Sequence, residues 1–199
     1  MAVLPYGGSA VLVEAQDVLG LQAALESDLP AGVVELVPAA QTLLVRFDPA
    51  VVEVASLTRL LSSVSTVDVV TGSSGAVTVP VRYDGADLAD VAEASGLSVR
   101  EVVSLHSSAS YVVSFCGFAP GFAYLTGLDP ALHLPRRSVP RTRVPAGSVA
   151  IAGEYSAVYP RPSPGGWHLV GTTSLPVWDV ERDPPNRLTP GTRVRFEAV

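Results

Sequence analysis

The sequence predicts an α+β fold in two parts: a split βαβ domain of the ferredoxin-like kind over residues 1–75, then a β-rich barrel or sandwich over residues 76–199. Three observations predict it. The first seventy residues alternate β-rich runs with runs of helical spacing, in the order strand, helix, strand, strand, helix, strand. Thr71-Gly72-Ser73-Ser74-Gly75 then breaks the pattern with flexible, turn-forming residues. From Tyr111 onward proline and glycine recur every few residues, and the apolar runs between them are short.

The elements follow in order. Ala10-Val11-Leu12-Val13-Glu14 reads as a strand, and Val18, Leu21 and Leu25 recur at helical spacing over 17–26. Residues 33–37 and 42–47 are β-rich runs joined by Pro38-Ala39-Ala40. Asp48-Pro49 is expected to open the next helix, with Asp48 as N-cap and Val54, Leu57, Leu61 and Val64 as its apolar stripe. A strand at 66–70 would close this set. Residues 76–83 read as a strand, Leu88, Val91 and Ala92 as a short helix ended by Gly96, and Ser98-Val99-Arg100-Glu101 as a capping box starting a helix to about His106. Short strands are then expected at 111–115, 148–152, 167–170, 175–178 and 193–196.

Composition narrows the chemistry. With 48% apolar and 16% charged residues the chain is of ordinary globular type. No apolar run approaches the roughly 20 residues that cross a bilayer, and no basic region precedes an apolar stretch, so no membrane association and a cytoplasmic location are expected. The single cysteine, Cys116, fits a reducing compartment. A net charge of −6 argues against a nucleic-acid partner. All thirteen basic residues are arginines. A chain without lysine has no phosphate-loop lysine, no lysine Schiff base and no residue to carry biotin.

Three segments could carry chemistry. Arg136-Arg137-Ser138-Val139-Pro140-Arg141-Thr142-Arg143 sets four guanidiniums within eight residues of an acidic chain. Guanidinium forks grip carboxylate or phosphate oxygens two at a time, although a solvated loop paired to nearby Asp and Glu would use the same residues. Arg141 and Arg143 share a face if the segment is extended. Phe115-Cys116-Gly117-Phe118-Ala119-Pro120-Gly121-Phe122-Ala123-Tyr124 interleaves glycines with aromatics, which suits either a ligand-binding loop or a tight barrel corner. Ser163-Pro164-Gly165-Gly166-Trp167 reads as a turn whose backbone N–H groups could form an anion nest. His106, His133 and His168 show no metal-ligand spacing, so no metal set is expected.

The wording of these segments also resembles one family. Gly117-Phe118-Ala119-Pro120-Gly121-Phe122, Tyr124-Leu125, Gly127-Leu128, Pro140-Arg141-Thr142-Arg143-Val144-Pro145-Ala146-Gly147-Ser148-Val149, Tyr159-Pro160, Ser163-Pro164-Gly165-Gly166-Trp167 and Asp183-Pro184-Pro185 are similar to the 5-oxoprolinase B-subunit group. That group is also called allophanate hydrolase subunit 1 and includes the sporulation kinase inhibitor. Pro5-Tyr6-Gly7 and residues 44–49 extend the likeness to nearly the whole chain.

The resemblance implies an N-terminal α/β domain followed by a cyclophilin-like β-barrel. It implies a hetero-oligomer with the 5-oxoprolinase C-subunit (allophanate hydrolase subunit 2) and a third protein, opening 5-oxoproline to glutamate at the expense of ATP. Its alternatives are a kinase-inhibiting binding protein, or an amidohydrolase or carboxyltransferase subunit acting on urea-like substrates (allophanate or urea carboxylase type), with any biotin on another chain. By position, Arg141 and Arg143 would grip a carboxylate or phosphate, and Phe118, Pro120, Gly121 and Tyr124 would shape the pocket. Ser163, Gly165, Gly166 and Trp167 would contribute the turn, and His106 would transfer a proton. The chain departs from the family pattern at Glu154-Tyr155-Ser156-Ala157, where a Gln-Thr-Gly sequence is usual, and at Thr172 and Ser174, where arginine and proline are common.

Overall fold

The computed structural model describes residues 1–67 and 76–199. The chain divides into two compact units, Met1–Val70 and Thr71–Val199. The boundary expected at residues 71–75 lies outside the described residues.

The first unit contains β1 (Ala2–Pro5), β2 (Ala10–Glu14), α1 (Val18–Ser27), β3 (Val33–Pro38), β4 (Thr42–Phe47) and α2 (Val54–Ser63). Its sheet runs β1-β2-β4-β3 with every pair antiparallel. Alternation sends Val11, Val13, Leu43, Val45 and Phe47 into one core with Leu21 and Leu25 of α1 and Leu57 and Leu61 of α2. Asp17 caps α1 by accepting from the Gly20 N–H at 2.8 Å.

Two expectations are corrected here. Asp48-Pro49 does not open α2: the Asp48 carboxylate accepts from Ala50 N–H and its carbonyl from Val51 and Val52, which makes a turn instead. The helix begins at Val54, behind Glu53. The position beside β2, where the last strand of a ferredoxin-like sheet would lie, is held by β1 from the N-terminal end of the chain. Of the strand expected at 66–70, Thr66 and Val67 are irregular and 68–70 lie outside the described residues.

The second unit contains β5 (Val77–Val81), α3 (Leu88–Ser95), α4 (Val99–Ser108), β6 (Tyr111–Cys116), β7 (Ala123–Thr126), β8 (Arg141–Val144), β9 (Ser148–Ala152), β10 (Tyr155–Val158), β11 (Ser163–Gly165), β12 (His168–Thr172) and β13 (Arg193–Ala198). Seven strands form one sheet in the order β12-β9-β10-β7-β6-β13-β5, with β13 and β5 parallel. The two ends of that sheet meet. Arg82, one residue past β5, exchanges both backbone hydrogen bonds with Thr172 of β12, at 2.9 and 2.8 Å. A sheet closed in this way is a barrel with no long free edge.

Its interior is filled by Val79, Val81, Val113, Leu125, Val149, Ile151, Val170, Val194 and Phe196, with Val91 and Val102 from the helices. Each such side chain, fully buried, contributes about 1.5–3 kcal/mol. Gly96 ends α3 in the left-handed conformation, and both hydrogen bonds of the Ser98–Glu101 capping box form. Residues 175–178 are not a strand. Pro176 supplies no N–H, Leu175 N–H turns to the Thr173 hydroxyl, and only Trp178 makes a bridge, to Asn186. Among the described residues, no helix is long and apolar enough to cross a membrane.

Candidate functional site

Strands β8 and β11 leave the barrel as a separate two-stranded ribbon, in which Arg141 lies opposite Gly165 and Val144 opposite Ser163. The Arg137 N–H continues the pairing by donating to the Gly166 carbonyl at 2.8 Å. The Pro-Arg-Thr-Arg and Ser-Pro-Gly-Gly-Trp segments, separate in sequence, are therefore one structural unit. Pro164 is tolerated because an edge strand has an outward side on which no N–H is needed. Ser163–Gly165 is a strand rather than a turn, and neither Gly165 nor Gly166 has positive φ, so no anion nest forms there. Gly165 has a different reason. A Cβ at that position would stand 2.2 Å from the Tyr159 hydroxyl, which lies tucked under the ribbon. Burial raises the Tyr159 pKa, and the charges of Arg136 and Arg141 and a hydrogen bond from the Trp167 N–H act against that rise.

The aromatic segment forms the hairpin β6–β7, with residues 117–122 as its loop. Phe122 is buried edge-on against Tyr124, Tyr159 and Trp167, with ring centres 5.2, 5.2 and 5.5 Å away. Tyr124 stacks on Phe115 at 4.2 Å and meets Trp167 at 5.5 Å. The three segments singled out by sequence thus converge on one aromatic cluster. At its rim Phe118 stands 61% exposed, and it is a non-glycine residue held at positive φ, +68°. A bulky side chain in the left-handed region costs free energy and marks a segment held by its surroundings. Pro120 is exposed beside it. Gly121 has φ +79°, and a Cβ there would meet Trp178 at 2.5 Å.

Arg141 and Arg143 part company. Arg143 is exposed. Arg141 turns its fork onto Asp87, with Nη1 donating to Oδ2 at 2.8 Å and Nη2 to Oδ1 at 2.7 Å. Asp87 is 1% exposed. It also accepts from Arg137 Nη1 and, at 2.7 Å, from the Leu169 N–H of β12. Burial alone would raise the Asp87 pKa. Hydrogen bonds from Arg141 and Leu169 and the charges of Arg141 and Arg137 outweigh it, and the carboxyl titrates below its ordinary range. Arg137 also has a longer contact, 3.7 Å, with the solvated Asp90.

Sequence reasoning missed Asp87. Its place before α3 is the signature of an N-cap, and it does stand at the N-cap. Its side chain makes no cap hydrogen bond because partners fifty residues and more along the chain take it.

His106 ends up inside the barrel, 0% exposed, on the face of Phe196. Its Nδ1 is 2.8 Å from the Tyr83 hydroxyl and its Nε2 is 2.9 Å from Ser156 Oγ, which can also donate to the Ala150 carbonyl at 3.3 Å. Burial pushes the imidazole pKa down to about 3, so the ring is neutral at pH 7. Spacing alone resembles a serine–histidine pair, but Ser156 is also 0% exposed, and no substrate reaches it in this conformation.

The positions that depart from the family pattern have structural partners. Tyr155 packs edge-on against Phe115 and Tyr124, and burial with the neighbouring Glu154 pushes its hydroxyl up to about 12. Thr172 donates to Asp84 at 2.8 Å at the barrel seam. Thr172, Thr173 and Ser174 line a shallow cavity of about 560 Å³ with Pro80, Arg82 and Val199. Among the described residues, no group of three or more His, Cys, Asp and Glu could hold a metal ion.

Residues 1–188 match the carboxyltransferase domain family, subdomain C and D. The B-subunit of 5-oxoprolinase from Escherichia coli O157:H7 is 55% identical over 123 residues, which are 60% of this chain and 56% of the relative. The crystal structure of TTHA0988 superposes with a TM-score of 0.82 at 40% identity, covering 96% of this chain and 40% of that one. The K. lactis urea amidolyase structure matches in fold, with a TM-score of 0.73 at 22% identity over all of this chain and 16% of that one. The chain spans about half the length of the curated relatives it matches.

Proposed function

Because the chain belongs to the carboxyltransferase subdomain C and D family, we propose that it is a non-autonomous component of a cytoplasmic, ATP-dependent 5-oxoprolinase complex. The complex opens the lactam of 5-oxoproline to glutamate with hydrolysis of ATP to ADP and phosphate. Its partners are the 5-oxoprolinase C-subunit and a third protein. Relatives named as the B-subunit of 5-oxoprolinase, at 43–55% identity, support this reading.

One observation carries the chemistry. Among the described residues, Arg137 and Arg141 meet the carboxylates Asp87 and Asp90, while Arg136 and Arg143, beside and on the same ribbon, form no ion pair, all next to an aromatic cluster. The surplus positive charge suits an anionic group, either the 5-oxoproline carboxylate or a phosphate. Arginine can also stabilise the oxyanion that develops when an amide carbonyl is attacked. ATP enters as a co-substrate of the complex, and with no lysine in this chain its phosphates are held by arginine or by a second protein. Phe118 and Pro120 present an apolar rim, and Phe122, Tyr124 and Trp167 form the wall behind it. His106, sealed in the barrel and neutral, holds the scaffold by hydrogen bonding.

The test is reconstitution with the partner proteins, reading ADP release that depends on 5-oxoproline. Arg141→Ala is expected to lower turnover at least a hundredfold while the complex still copurifies. Wild-type turnover in that variant refutes the anion-binding role, and no turnover in the unmodified complex with 5-oxoproline refutes the substrate.

A further inference from the structure

We infer that Asp87 is a positioning residue, a fixed buried anion that aims the Arg141 guanidinium for the reaction. The inference rests on the anion-binding reading above. The carboxylate is fully used. Two donors from Arg141, one from Arg137 and the Leu169 N–H fill the roughly four acceptor sites of a carboxylate. Asp87 therefore has no lone pair left for a substrate or for a proton in transit, and neither general-base nor ligand-binding work falls to it.

Its backbone is as constrained as its side chain. The Asp87 N–H donates to the Leu169 carbonyl at 3.0 Å while Leu169 N–H returns a bond to the carboxylate. Gly85 just before it donates to Val170 at 3.3 Å. The carboxylate is thus fastened to β12, a barrel strand, and carries two arginines from a ribbon that leaves the barrel. A reactive guanidinium held on a rigid element loses less freedom when its ligand arrives.

What remains free on Arg141 fits a working role. Two of its five N–H groups are committed to Asp87 and the side chain is 26% exposed, so the other donors are within reach of the surface. Lysine cannot reproduce this geometry, because an ammonium has no planar fork to meet both carboxylate oxygens and still present further donors.

A double-mutant cycle in the reconstituted complex tests the inference, with 5-oxoproline and ATP as substrates and kcat/KM as the readout. D87N keeps the shape and removes the charge, and R141K keeps the charge and removes the fork. Each is expected to lower kcat/KM at least tenfold, with the D87N/R141K pair within about threefold of R141K alone, because an aim that is already lost cannot be lost again. Multiplying losses in the pair, or wild-type activity in D87N beside an impaired R141K, overturns the positioning role and leaves the anion-binding reading intact. Wild-type activity in both R141K and R141A overturns the two together. Should D87N fail to fold, D87E takes its place. It keeps the charge but shifts the fork by one methylene, and the same non-additivity with R141K is required of it. Activity equal to wild type in D87E then overturns the inference.

Discussion

Two polar clusters in the barrel unit each join three side chains and sit in opposite surroundings. Tyr83, His106 and Ser156 meet inside the barrel, with His106 and Ser156 wholly shielded from water. Asp87, Arg137 and Arg141 meet where the ribbon joins β12, the carboxylate buried and both guanidiniums partly wet. The inner cluster is uncharged and the outer one ionic. Desolvation explains the division: a lone charge in the barrel core would cost many kcal/mol, so the imidazole gives up its proton. At the ribbon, two guanidiniums in contact and a backbone N–H keep the buried carboxylate ionised, and only the guanidiniums reach solvent. A neutral network can specify a core, whereas a charged one with spare donors can also meet an anion.

The comparison breaks most sharply at His106. Replacing it with alanine removes a ring from the core and strands the Tyr83 and Ser156 hydroxyls, at an expected cost of about 3–5 kcal/mol in urea unfolding. A cost under about 1 kcal/mol would mean that the inner cluster holds nothing together. Acid should act through the same residue. The folded-state pKa of about 3 lies below the ordinary value of 6.5, so the unfolded chain takes up the proton first as pH falls. Stability from this group is full above pH 6.5 and is lost by up to roughly 1.4 kcal/mol per pH unit down to about pH 3. His106→Gln should flatten the pH dependence of the urea midpoint between pH 6 and 4. An unchanged slope would assign acid sensitivity elsewhere. Asp87, with its pKa also depressed, contributes stability that fades at lower pH, below the ordinary carboxylate range.

Next in size is Gly165→Ala. The new methyl would sit on the Tyr159 hydroxyl beneath the ribbon, and relief requires a shift of Tyr159 or of β11. An expected loss of about 1–3 kcal/mol follows from overpacking. Near-UV circular dichroism should change with it, because Tyr159 belongs to the aromatic cluster with Phe122. An unaltered spectrum and unfolding midpoint would show that the ribbon is free to lift away.

These residues also show what a sequence discloses. Period and capping signals are local, so α4 was legible from Ser98 and Glu101, and β9 and β13 from their short apolar runs. Barrel closure was not, because Arg82 and Thr172 pair through backbone atoms that every residue except proline carries. Nor was the Asx turn at Asp48, whose first residues match those of a helix start. The candidate site was half legible. Motif wording singled out the three segments, yet their meeting through β8 and β11 and around Phe122 depends on pairing across long stretches of chain. Asp87 looked like a cap because its true partners lie fifty or more residues away.

The smallest structural effect is expected at Arg143, and it sharpens the comparison from the outer side. Arg141 and Arg143 are two residues apart on β8 and begin with the same chemistry, but only Arg141 is tied to the buried carboxylate. Exposed side chains without such ties change stability by less than about 0.5 kcal/mol when truncated. Arg143→Ala should therefore leave the urea midpoint in place, while Arg141→Ala lowers the unfolding free energy by about 1–3 kcal/mol by removing two charge-assisted bonds from Asp87. Turnover then separates structure from function. If the ribbon meets an anion, Arg143→Ala weakens the 5-oxoproline or ATP KM several-fold with stability unchanged, and more so at low salt, where charge acts at longer range. An unchanged KM for both at every salt concentration would remove Arg143 from the site and leave the work to the guanidiniums that Asp87 holds.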